Sequence, residues 1–132
     1  MASLRKHLSR YAEHSYALLR IVAAFLFACH GAQKLFGVLE GETVYGSPLL
    51  LAAGLIEFFG GLLVGLGWQT SIAAVLASGE MAVAYFLKHA PGGFWPILNG
   101  GEKAGLYAFV FLFIASRGGG KWSLDGLAGR SQ

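Results

Sequence analysis

Cysteine is nearly absent: Cys29 is the single one in 132 residues. That excludes an intrachain disulfide, a CxxC redox pair and a cysteine-built metal cluster within one copy. Nothing beside Cys29 marks a reactive thiolate, so it reads as a small apolar packing residue. Charge is scarce as well. Only 13% of the residues are Asp, Glu, Lys or Arg, against about 25% in a typical soluble domain. A chain with half the usual charge has much of its surface facing something other than water. The basic stripe interleaved with aromatics that nucleic-acid binders carry is missing, so the net charge of +3 does not indicate a nucleic-acid partner. Metal ligands at diagnostic spacing are missing too, and no metal is expected. No haem, flavin or iron–sulfur motif appears.

What the chain does have is apolar length. Hydrophobic residues make up 55% of it, and the mean hydropathy is +0.58. A membrane-spanning helix needs about 20 mostly apolar residues, and residues 16–36, 48–66 and 70–87 each meet that need. Residues 102–116 supply only about 22 Å of helix against a hydrocarbon core of about 30 Å. The proline-broken apolar stretch at 94–98 is expected to dip into the interface or plug the bundle mouth there, making up the shortfall. The expectation is all-α: one membrane domain over 1–132, a four-transmembrane-helix bundle in a lipid bilayer, with short tails. The basic start (Arg5, Lys6, Arg10) and Leu26-Phe27-Ala28-Cys29 imitate a signal or lipoprotein sequence. Arg20 interrupts the would-be apolar core, so the segment is expected to remain as the first helix.

Orientation follows from the cations. Arg5, Lys6 and Arg10 precede the first helix, and Arg117, Lys121 and Arg130 follow the last. The loop after the first helix holds Glu40 and Glu42 and no cation, while Lys88 and Lys103 edge the loop after the third. Both termini are therefore expected on the cytoplasmic side. Trp68, Trp95 and Trp122 fall near helix ends, where an aromatic belt sits. Gly54, Gly61 and Gly65 recur on one helix face, as do Ala73, Ala77 and Ala84 on the next, which suits close helix packing in lipid.

The ionisable residues inside the runs ask for more. A charge at membrane depth costs at least about 2.5 kcal/mol on insertion scales, so it is normally paired and often functional. On the first helix Arg20, Gly31 and Lys34 fall within about 60° of one another, with His30 beside them. Glu57 lies midway along the second, about 14 Å from either end by helical rise, on the face of Gly54 and Gly61. Glu80 lies on the alanine face of the third. Lys34, Lys88, His89, Glu102 and Lys103 are expected at the outer rim. Buried ion pairs, Arg20 or Lys34 with Glu57 or Glu80, would explain these residues by register alone. A site for a polar headgroup, a quinone or a proton relay would explain their convergence.

The blocks Leu19-Arg20-Ile21, His30-Gly31-Ala32-Gln33-Lys34-Leu35-Phe36-Gly37, Glu57-Phe58-Phe59-Gly60-Gly61 and Glu80-Met81-Ala82 resemble the DoxX family of bacterial membrane proteins. Asn99-Gly100-Gly101-Glu102, Leu106-Tyr107 and Ser123-Leu124-Asp125 extend the resemblance over nearly the whole chain. The family is similar to the membrane subunit of thiosulfate:quinone oxidoreductases. Some members are linked to oxidative-stress complexes with superoxide dismutase and a sulfurtransferase. The resemblance implies a multi-pass protein of the bacterial cytoplasmic (inner) membrane. Arg20, His30, Lys34, Glu57, Glu80 and Glu102 match its recurring polar positions, and no catalytic role travels with them.

The leading expectation is a membrane-embedded redox subunit, binding a quinone or a small sulfur species through that cluster, with partner proteins in a redox complex supplying most of the chemistry. A non-catalytic scaffold anchoring partner proteins stays open. So does a small-solute transporter, for which four helices would have to form a homo-oligomer.

Overall fold

The computed structural model describes residues 1–129, so Arg130, counted above among the flanking cations, lies outside them. All regular structure among the described residues is helical. The cause is the solvent implied by the composition: hydrocarbon offers no partner to backbone N–H and C=O groups, and a helix satisfies them within one segment. Helix α1 covers Ala2–Ser9 and α2 covers Ala12–Phe36. They are followed by α3, Pro48–Leu66, and α4, Thr70–Gly92. One short turn, α5 (Pro96–Asn99), precedes α6 (Glu102–Arg117), and α7 (Leu124–Leu127) closes the described chain. By length and composition α2, α3 and α4 can each cross a membrane. With 16 residues, α6 reaches only about 24 Å.

Local chemistry sets the boundaries. Ser47 caps α3 by accepting the Leu50 N–H at 3.3 Å, with Pro48 in the first turn, where its missing N–H costs nothing. Helix α3 stops at Gly67 in the left-handed conformation (φ 71°), which only glycine adopts without a Cβ penalty. The start of α4 has no cap of its own. Asp125, far along the chain, supplies one: its carboxylate accepts from Gln69 N at 3.0 Å, Thr70 N at 2.9 Å and Thr70 Oγ1 at 2.7 Å. A carboxylate there also complements the positive end of the helix dipole.

Packing is inverted relative to a water-soluble protein. Ala17, Ala24, Ala74 and Ala77 are fully buried, whereas Phe25, Ile72, Phe86 and Phe109 point outward. Small residues inside let helices approach, and large apolar ones outside meet lipid. The closest approach joins α2 and α3. A Cβ at Gly61 would lie 2.8 Å from the Ala24 carbonyl and the Ala28 nitrogen, and one at Gly31 would collide with the Phe58 backbone. Helices α4 and α6 also pack along much of their length, and Ser78 Oγ donates across the seam to the Ala108 carbonyl at 2.7 Å.

Two segments differ from the sequence reading. The amino-terminal tail contains a helix, α1, that buries none of its side chains. The stretch at 94–98 does not plug the bundle: Phe94, Trp95, Ile97 and Leu98 are all largely exposed. Asn99 holds that loop instead. Its amide donates to Gly93 O at 2.9 Å, and its side-chain oxygen accepts from Gly101 N at 2.8 Å.

Candidate functional site

The ionisable residues of the helices divide between two ends of the molecule. The end of α2, the start of α3, the end of α4 and the start of α6 enclose a cavity of about 820 Å³. It lies at the end of the bundle opposite both chain termini. His30, Lys34, Glu57 and Glu80 all border it, joined by Tyr107 from α6. Four different helices thus contribute to one polar cluster.

Its geometry is specific. Lys34 Nζ lies 2.6 Å from Glu57 Oε2, and the Glu57 side chain is only 3% exposed. Glu80 neighbours Glu57 closely enough for the carboxyl groups to interact. Glu80 Oε2 is buried and has no hydrogen-bond partner among the described residues. One ammonium balances one carboxylate in a low-dielectric interior. The second carboxyl group can share a hydrogen bond with Glu57, and its Oε2 is left open to a donor from a ligand. The His30 ring meets Tyr107 edge-on, with centroids 6.3 Å apart, and Tyr107 in turn stacks on Phe111 at 5.8 Å. Lys88, His89 and Lys103 line the same cavity, the two lysines exposed at its rim, so the lining holds three ammonium groups to two carboxyls.

Helical breaks sit beside the cluster. A π-helical turn over Ile56–Gly60 carries Glu57. Another, over Tyr85–His89, ends α4 at the cavity. Such turns insert one extra residue per turn, re-aim side chains and recur at functional sites.

Arg20 belongs elsewhere. It is fully buried near the termini, where it pairs with neither Glu57 nor Glu80. Its guanidinium donates to the carbonyls of Val64 (2.7 Å) and Gly65 (2.8 Å) and to those of Lys121 (3.0 Å) and Trp122 (2.8 Å). It closes the carboxyl end of α3 and clasps the segment that delivers Asp125 to α4. Glu102 is exposed in the first turn of α6 and does not border the cavity. The structure therefore gathers His30, Lys34, Glu57 and Glu80 and leaves out Arg20 and Glu102.

Two residues entered the sequence reading only within the DoxX-like blocks, with no role assigned. Tyr107 lies one helical turn from both Lys103 and Phe111, a spacing that places all three on one face and could have signalled it. Asp125 gives no local signal, because its partners are more than fifty positions away. Among the described residues no group of three or more His, Cys, Asp or Glu side chains is placed to hold a metal ion.

An all-helical chain with an alanine-lined interior, an aliphatic exterior and a charged cluster buried between its helices is a multi-pass membrane protein. It belongs to the DoxX family, whose model matches residues 15–90. An uncharacterized protein of Haemophilus influenzae is 42% identical over 126 residues, covering 90% of this chain and 94% of that protein. No solved structure matches.

Proposed function

We propose that the chain is a membrane-embedded subunit of a redox-linked complex in the bacterial cytoplasmic membrane, and that its cavity binds a quinone or a small sulfur species. In this reading α2, α3, α4 and α6 form four passes of one membrane domain. Both termini face the cytoplasm and the cavity occupies the outer half. The observation that carries it is the unpartnered Glu80 oxygen beside the Lys34–Glu57 pair in a cavity of about 820 Å³. Ligand sites run to about 300–1,000 Å³, mostly apolar with a few convergent polar groups.

The residue roles follow from their chemistry. Lys34, His30 and the Tyr107 hydroxyl can donate hydrogen bonds to carbonyl or sulfonyl oxygens on a bound molecule. Glu80 can accept from a hydroxyl or, when protonated, donate to a carbonyl. Reduction of a quinone consumes two protons as well as two electrons, and a pair of interacting carboxyl groups is suited to holding a proton close by. The electrons come from a partner protein, since the chain carries no motif for a redox cofactor. The cationic flanks, Arg5, Lys6 and Arg10 on one side and Arg117 and Lys121 on the other, support the orientation.

Native mass spectrometry of the full chain, released from detergent with its small molecules retained, tests the reading. A bound quinone or sulfur compound is expected, and it should be lost in Glu80→Gln. An empty chain that co-purifies with another protein would favour the scaffold instead.

A further inference from the structure

We infer that the cavity is reached from the side: the cleft between α3 and α4 is a portal that a ligand enters from the bilayer, its head reaching the polar cluster while its hydrocarbon chain stays lodged in the cleft. This rests on the ligand-binding reading above and narrows it to an amphiphile whose head bears hydrogen-bond acceptors.

The shape of the helix pair provides the cleft. A short turn at Gly67–Gln69 ties α3 to α4 at one end. The first half of α3, Pro48–Leu55, packs chiefly on α2 and makes little contact with α4. The two helices consequently part towards the cavity. Leu49, Ala53 and Ile56 line the gap from α3, and Leu76, Gly79 and Val83 line it from α4. These side chains are aliphatic or absent, which suits an alkyl chain. A water-soluble solute would find no polar partner along that wall.

Gly79 is the telling position. It is exposed, and a Cβ built on it would meet no atom within 4 Å. Its missing side chain therefore serves no helix contact, unlike that of Gly61, and its backbone sits squarely in the cleft lining. Volume agrees. A cavity of about 150 Å³ is enough to take a benzene ring, so one of about 820 Å³ holds a ring-sized head and leaves room for a chain. Charge agrees as well, because the three lysines of the lining, Lys34, Lys88 and Lys103, outnumber Glu57 and Glu80 and favour an acceptor-rich head.

The test compares two probes on the full chain in phosphatidylcholine nanodiscs: a dimethoxy-methyl-benzoquinone without a tail, and the same ring carrying a decyl chain. Three proteins are compared: the unaltered chain, Gly79→Leu, which fills the cleft, and Glu80→Gln, which alters the head site. Partitioning into the bilayer raises the local concentration of the decyl probe equally for all three, so the comparison between proteins isolates the cleft. Gly79→Leu is expected to weaken the decyl probe about tenfold, or about 1.4 kcal/mol, and to leave the tailless ring unchanged. Glu80→Gln should weaken both. Val83→Phe, which narrows the same cleft one turn away, should repeat the Gly79→Leu pattern. If Gly79→Leu and Val83→Phe leave decyl binding intact while the ring still binds, the portal is overturned and the head site stands. If neither probe binds the unaltered chain, the ligand reading itself falls, and the portal with it.

Discussion

At the scale of single residues, the two cations on the inward face of α2 play opposite parts. Arg20 and Lys34 share a helix and a face, so sequence spacing made them interchangeable partners for Glu57 and Glu80. The structure separates them: Lys34 pairs with Glu57, while Arg20 closes a helix end with four backbone carbonyls. Arg20→Met should therefore cost stability, on the order of 3 kcal/mol for several buried carbonyls left without a donor, and leave ligand affinity in the surviving folded fraction unchanged. Thermal melting and ligand titration on one preparation check both halves. Glu80→Gln should behave in the reverse way. Gln keeps a hydrogen-bond donor towards Glu57 and leaves the Lys34–Glu57 contact in place, so the variant should melt close to the unaltered protein and lose ligand binding. Lost stability with binding intact would return Glu80 to a packing role. Lys34→Met should do both kinds of harm, since it strands Glu57 in the interior at a cost of about 3 kcal/mol and removes a donor from the cavity.

At the scale of helices, α2 and α3 are held together by glycine. Gly61 meets the Ala24 carbonyl and the Ala28 nitrogen, which are backbone atoms that cannot swing aside. Gly61→Leu must push the helices apart and should lower stability by about 2 kcal/mol. Leu62→Ile, on an outward position 43% exposed, should leave the melting temperature where it was. Equal melting of the two variants would mean that α3 does not pack through this face. The glycine repeat was legible in the sequence because close approach in lipid demands small residues at helical spacing. The π-helical turns at Ile56–Gly60 and Tyr85–His89 were not legible. A helix with one wide turn has nearly the same hydrophobic pattern as one without, and the turn at Ile56–Gly60 lies where α2 comes so close that a Cβ on Gly31 would collide with the Phe58 backbone.

For the whole molecule, the outstanding property is the side on which each end lies. In a Cys29→Ala background, single cysteines at Glu42 and Asn99 are expected to react with a membrane-impermeant thiol reagent added outside intact cells. A cysteine at Ser3 should react only after lysis. The reverse pattern would invert the molecule and place the cavity towards the cytoplasm. Residence in a bilayer, helical structure, the position of the apolar runs and the charges within them are all readable from the order of residues. Composition and period are properties of the chain alone, and lipid leaves an apolar run one way to satisfy its backbone. The DoxX resemblance was readable for a similar reason: it rests on the order and spacing of short blocks. Which charges meet was decided only by the tertiary structure. Helical rise gives the depth of Glu57 or Arg20 along its own helix, but partnership depends on how four helices are rotated and splayed against one another. That arrangement is fixed by contacts between residues distant in sequence, among them Gly61 on Ala24, Asp125 on Thr70 and Arg20 on Lys121.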